Sequence, residues 1–277
     1  MNLLRHALTL LLAPVLLVAC TVQVPQKPPR SAILPAGTEA CGAGCPTGGS
    51  NRMLIRQVYT LNNNGTTKFA NWVAYKITKA SQASGRSRNW RRDPDLPVDD
   101  TLAPAAYNNA NNVLAVDRGH QAPLASLAGH SDWAALNYLS NITPQKSALN
   151  QGAWAKLENQ ERVLANKPDV RAVYVVTGPL FEQDYGALPA APSVKIPSGY
   201  WKVIFINDGP QSGQFAAFIM QQTLTRAANF CDYQVTVSEI EKRTHPALRL
   251  WSALSVEEAT VLKNSKGKLA KEEMGCY

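Results

Sequence analysis

Asp117, Arg118, Gly119 and His120 stand side by side, two opposite charges and an imidazole around a residue with no side chain. If the stretch runs extended, side chains alternate, so Arg118 and His120 share one face while Asp117 and Gly119 share the other. Gly119 would then leave room for a ligand or a second backbone to approach. An arginine offers a forked donor that matches phosphate. A histidine, with an ordinary pKa of about 6.5, accepts a proton near neutral pH. One face thus holds an anion clamp and a base, two of the three requirements for attack on a phosphodiester. The third is a charge that neutralises the phosphate and the leaving oxygen, which a divalent metal supplies well. Of the four histidines, His6 lies in the N-terminal signal-like segment, and His130 and His245 read as structural.

Downstream, Asn141 and Asn150 flank Thr143-Pro144-Gln145, and Glu158 and Arg162 follow. Eight residues separate Asn150 from Glu158, about two helical turns, which places them within about 80° on one face. Arg162 follows Glu158 at the i+4 spacing of a helical ion pair. On spacing alone the structural reading prevails for each: a helix cap at Asn150, a loop amide at Asn141 and a surface pair between Glu158 and Arg162.

The elements that must hold them are readable in outline. Residues 53–78 form two strand-like runs around an Asn64-Gly65 turn, with Val73, Tyr75 and Ile77 alternating against Trp72, Ala74 and Lys76. Further strands are expected at 172–181, 200–207, 214–222 and 233–237, and helices at 154–166 and 255–264. Ser255 with Glu258 three residues on is a capping-box pattern. Residues 86–112 are polar, carry Pro and Asn, and read as a long loop of the kind that carries function. The expectation is an α+β domain with a mostly antiparallel sheet.

The chain has 277 residues and a formal charge of +8, which favours polyanionic partners such as nucleic acid or anionic lipid. Its first 20 residues carry Arg5 and an apolar run from Ala7 to Ala19, too short for a comfortable membrane span and suited to a secretion signal. The ending Leu17-Val18-Ala19-Cys20 resembles a bacterial lipobox, which makes Cys20 a lipidation site. Residues 21–40 are Pro-rich and aperiodic, a tether, and the folded domain is expected over 41–277. These features point to an exported, membrane-anchored lipoprotein of the periplasm or outer membrane, with secretion from the cell as the alternative. Without Cys20 four cysteines remain. Proximity pairs Cys41 with Cys45 and Cys231 with Cys276, one of three connectivities. Export favours disulfides over a zinc site.

The DRGH run, Asp117 to His120, and the block LSNITPQKSALNQGAWAKLE at 139–158 resemble the non-specific DNA/RNA endonucleases of the Serratia type, the ββα-metal nucleases. The likeness extends through TLNNNGTTKFANWVAY (60–75), SRNWRRDP (87–94), VTGPL (176–180) and YWKVIFIN (200–207). It implies a ββα-metal fold with a central antiparallel sheet flanked by helices and long loops. It also implies Mg²⁺-dependent cleavage of single- and double-stranded DNA and RNA to 5′-phosphorylated products, with Mn²⁺ as a substitute metal, and it allows a homodimer. By the same resemblance His120 is the general base and Asn150 the sole direct protein ligand of the metal. Mg²⁺ dehydrates reluctantly and keeps several waters, which suits a single amide ligand. Glu158 would hold metal-bound waters, Arg88 and Arg118 would clamp phosphate, Asn141 would support the site by hydrogen bonding, and Arg162 would contact substrate. Asp117 reads as orienting structure. The rival class is an envelope lipoprotein that binds nucleic acid or other polyanions without cutting. Binding alone has no need of His120, Asn150 and Glu158 together.

Overall fold

The computed structural model describes residues 39–50 and 52–277. The expected signal peptide, Cys20 and nearly all of the tether lie outside the described residues. Seven antiparallel strands form the central sheet, in the spatial order Gln234–Val235, Phe215–Gln221, Gly199–Phe205, Val173–Leu180, Phe69–Ile77, Thr60–Asn64, Met53–Ile55. Alternation sorts their side chains onto two covered faces. Val73, Tyr75 and Ile77 pack in one core with Trp154, Leu157 and Leu164. Trp72 and Ala74 face a second core with Trp201, Phe205, Phe215 and Trp251. Both faces are dry, which is why the inner strands read as continuous apolar runs. With its helices and long loops the architecture is α+β.

The Asn64-Gly65 hairpin forms as expected, and the Asn64 side chain accepts from the Thr66 and Thr67 amides at 3.0 and 3.2 Å. The run before it is not one strand. Met53–Ile55 folds back on Thr60–Asn62 through a turn closed by the Arg56 amide on the Tyr59 carbonyl at 2.9 Å. Residues 233–237 shrink to the two-residue strand Gln234–Val235, because Thr236 caps a helix instead. Its hydroxyl accepts from the Glu239 amide at 3.1 Å and starts Val237–Arg243, a helix the sequence reading missed. The capping box of Ser255 and Glu258 opens Val256–Lys263 as expected. Disulfides join Cys41 to Cys45 and Cys231 to Cys276, the pairing that proximity suggested.

Beside the main sheet, Val116–His120 pairs antiparallel with Ile142–Lys146, with Arg118 opposite Pro144 and His120 opposite Ile142. The ribbon rests on its own apolar cluster, which includes Phe69, Leu102, Tyr107, Leu139 and Ile142. A short helix, Ser147–Leu149, then a π turn, Asn150–Trp154, lead into the helix Ala155–Ala165. Gly152 leaves helical geometry there, with φ −107° and ψ −115°. Such interruptions often mark functional sites. Gly119 does not make room for a ligand or a second backbone, contrary to expectation. A Cβ there would lie 2.5 Å from Oε1 of Gln145, so its bareness accommodates a partner-strand side chain.

Candidate active site

Four segments converge on a cleft of about 740 Å³, whose lining includes Arg88, Arg118, His120, Asn150, Glu158 and Arg162. Six of the seven expected site residues therefore meet in one place. Arg88 comes from the long loop, Arg118 and His120 from the ribbon, Asn150 from the π turn, and Glu158 and Arg162 from the helix. The loop is pinned. Arg56 bridges Asp93 at 2.7 Å and Asp95 at 2.6 Å, and the Ser140 hydroxyl also donates to Asp93. Arg91 adds backbone bonds to Asn137 and Leu139. The expected long loop is broken by short helical turns at Val98–Asp100, Pro104–Tyr107 and Ala110–Leu114, and its irregular first part is thus held firmly enough to present side chains.

His120 is half-buried, with the Trp90 ring 5.2 Å away. Its Nε2 lies 3.3 Å from Oδ1 of Asn137. The Asn137 amide nitrogen donates to the Ser87 carbonyl at 3.2 Å, so its oxygen is the end that faces the imidazole. That assigns the proton to Nε2 and leaves the Nδ1 lone pair as the basic one. Burial lowers the imidazole pKa to about 4. The Asn137 bond opposes that shift, and the nearby Arg88 charge adds to it. The ring is therefore neutral, as a base must be, at every pH near 7.

Arg118 is held by aromatic faces, with its guanidinium 5.2 Å from the Tyr107 ring and 5.8 Å from that of Trp90. It donates to the Pro104 carbonyl at 3.2 Å, and its buried Nε has no partner among the described residues. Arg88 is exposed, with no hydrogen bond or ion pair among them. A clamp for an anion is present with donors unspent.

Asp117 is the organiser. Its Oδ1 accepts from Asn111 at 2.8 Å and Ser147 at 2.6 Å, and its Oδ2 from Asn150 at 2.9 Å and Gln151 at 2.7 Å. With Nδ2 of Asn150 committed to Asp117, Oδ1 of Asn150 is the free end of the amide. It accepts no hydrogen bond among the described residues. A hard, neutral oxygen held in one orientation, in a cleft that also contains Glu158, fits a hydrated Mg²⁺. Glu158 is half-buried, and burial pushes its carboxyl pKa up to about 7, opposed by Lys202 and reinforced by Glu161. A cation would draw it back down.

Two expectations change. Arg162 makes no ion pair with Glu158. It donates to Ser126 and Asn159, each at 3.3 Å. Asn141 is fully buried and does not line the cleft. Its amide donates to the carbonyls of Leu136 and Ala122 and accepts from the Ala122 amide at 2.8 Å. Every polar atom of the side chain is spent on backbone groups, so it clamps the chain just past His120 and supports the site from behind. The sequence reading missed Asn137 and Trp90. Asn137 follows His120 by 17 residues across an irregular segment, and no periodicity links them. Trp90 lies in the run 87–92, where an aromatic residue by itself points to no role.

A sequence model of the DNA/RNA non-specific endonuclease family matches residues 36–257. The chain is 59% identical over 238 residues to the protein "Nuclease" of Serratia marcescens, covering 85% of this chain and 88% of that one. It is 28% identical to a "Nuclease" of Nostoc, over 83% and 87% of the two chains. Among solved structures, the crystal structure of the EndoG/EndoGI complex superposes with a TM-score of 0.66 at 21% identity, covering 79% of this chain and 92% of that one.

Proposed function

The chain belongs to the DNA/RNA non-specific endonuclease family, and from that premise we propose that it hydrolyses both DNA and RNA with Mg²⁺, to 5′-phosphorylated products. Asn150 would bind the metal directly and Glu158 through water, with Mn²⁺ able to substitute. The bound cation would supply positive charge to the phosphate and the leaving oxygen. His120 takes a proton from the attacking water at Nδ1, while Asn137 holds the ring in its productive tautomer. Arg118 and Arg88 bind the non-bridging phosphate oxygens and stabilise the crowded transition state. Contacts of this kind fall on phosphate, which carries no base identity, and water as nucleophile needs no ribose hydroxyl.

The observation that carries this reading is the convergence in one cleft of a neutral imidazole, two arginines and an amide oxygen that, among the described residues, have no carboxylate and no donor respectively as partners. The test is supercoiled plasmid and structured RNA incubated with Mg²⁺, with and without chelator. Both should be degraded, chelator should stop it, and the fragments should religate without kinase treatment. Retention of intact plasmid on the protein would favour the polyanion-binding alternative. Export with a lipid on Cys20 is part of the same proposal. Two disulfides in the domain suit an oxidising compartment. Mass spectrometry of the mature N-terminus should find diacylglyceryl-modified Cys20, and an unmodified residue beyond it would point to a secreted form.

A further inference from the structure

The segment 222–229 comes from outside the strand–strand–helix unit, yet it is fastened to that unit at three points. Buried Gln222 accepts from the Lys146 amide at 2.8 Å and donates to the Pro144 carbonyl at 2.8 Å, which ties the root of the segment to the ribbon. Its middle lies against the π turn. A Cβ on Gly152 would sit 2.7 Å from the Arg226 carbonyl oxygen and 2.9 Å from its Cα, so only glycine lets the two backbones approach this closely. Near its end, the Ala228 carbonyl accepts from Lys156 on the helix at 3.5 Å.

Fastening of this kind fixes where the one cation of the segment stands. Arg226 is exposed and has no carboxylate within ion-pair distance among the described residues. Its Nη2 donates at 2.9 Å to Oε1 of Gln151, which lines the cleft and whose amide nitrogen is bound to Asp117. One bond to a neutral amide leaves most of the guanidinium fork unspent. The charge stands next to the Asn150 end of the cleft, while Arg88 comes from a different segment, the long loop.

We propose that Arg226 is a substrate contact, gripping a backbone phosphate adjacent to the scissile one on the Asn150 side. The polymer would then be held by a phosphate beyond the reacting one, at a residue that does not touch the reacting atoms. This rests on the nuclease reading above. Uniform binding of that kind raises affinity for ground state and transition state alike, so its loss appears in KM and not in kcat.

The experiment compares the parent chain with Arg226→Ala and Arg226→Lys on duplex DNA over a series of salt concentrations with Mg²⁺. Arg226→Ala should raise KM several-fold, leave kcat within about twofold, and flatten the slope of log(kcat/KM) against log[salt] by about one. Arg226→Lys should restore the slope. Duplex binding in chelator should weaken in parallel, a readout independent of turnover. An unchanged KM and slope overturns the proposal. So does a fall in kcat at constant KM, which would mean that Arg226 acts through Gln151 and Asp117 on the site. A parent chain that binds DNA but does not cut it would instead strike the nuclease reading, a result these variants do not produce.

Discussion

Lys202 is fully buried, yet it is paired on all sides. Its ammonium meets Glu161 at 2.6 Å and the Tyr75 hydroxyl at 3.1 Å, and lies 4.4 Å from the Trp154 ring centre. Tyr75 closes the circuit with a bond to the other oxygen of Glu161 at 2.9 Å. Arg118, in the cleft, has one carbonyl, two ring faces and a buried Nε with nothing to bond among the described residues. Arg88 has less still. The two regions treat charge in opposite ways. A buried charge without a partner is expensive, so the body neutralises its ions internally. Among the described residues the cleft leaves arginine donors open, and an incoming phosphate could satisfy them. The charged groups of the body hold the fold, and under the proposed function those of the cleft are kept for substrate.

The sharpest way to break this comparison is to remove one group from each region and read rate and stability separately. His120→Ala should lower kcat on the order of 10²–10⁴-fold, the usual contribution of a positioned base. The imidazole is half-buried, with a single long hydrogen bond to Asn137, so thermal unfolding should move little. A variant with near-parental turnover would remove His120 from the mechanism. Lys202→Ala should do the reverse. Leaving Glu161 buried and unpaired should cost about 3–5 kcal/mol in urea unfolding, and Lys202→Met combined with Glu161→Gln should recover much of it. If the single variant is as stable as the parent, the buried pair is not what holds the helix to the sheet.

Asp117 belongs to both regions, since its carboxylate is spent inside the protein in order to leave another group unspent. Asp117→Ala frees the Asn150 amide to rotate and removes the acceptor for Asn111, Ser147 and Gln151. Outer partners of metal ligands are typically worth 10–100-fold in affinity. The Mg²⁺ concentration for half-maximal activity should rise by that factor, and the thermal shift on adding Mg²⁺ should shrink with it. An unchanged Mg²⁺ requirement would show that Asn150 is oriented without Asp117.

How far the sequence foretold this division depends on the range of the interaction. Strand alternation placed Val73, Tyr75 and Ile77 on one face and Trp72 and Ala74 on the other, because that pattern is local and strongly driven by burial. The Ser255–Glu258 capping box was legible for the same reason. Arg118 and His120 were legible as a same-face pair, and their neighbours along the helix were placed by resemblance more than by spacing. Asn137 was invisible, since its link to His120 depends on how residues 121–141 pack. The four-fold role of Asp117 was equally hidden, although its type as an orienting group was readable. Asn141 shows how resemblance can give a residue's role without its partners. Resemblance gave it a supporting role by hydrogen bonding, and the backbone groups of Ala122 and Leu136 that its buried amide holds were not readable from spacing.

Glu158 tests the comparison on its finest scale, through pH. Burial raises its folded pKa to about 7 from an ordinary 4.5, so between those values the folded chain holds more proton than the unfolded one. Stability from this group therefore falls as pH rises through that window. His120 works the other way. Its folded pKa of about 4 lies below the ordinary 6.5, so the unfolded chain binds more proton between them, and stability rises with pH. Between about pH 4.5 and 6.5 the two slopes oppose each other. Glu158→Gln removes one of them. The metal-free variant should gain on the order of 1–2 kcal/mol over the parent at pH 8, after allowing for solvent around a half-buried group. Its stability should climb between pH 4.5 and 6.5 where the parent is flat. Mg²⁺ should stabilise the parent more at pH 8 than at pH 5, because the cation relieves the strain of an ionised, desolvated carboxylate, and this difference should vanish in the variant. A parent and variant with the same pH profile in chelator would show that Glu158 ionises freely, and that the cleft, like the body, already satisfies its own charge.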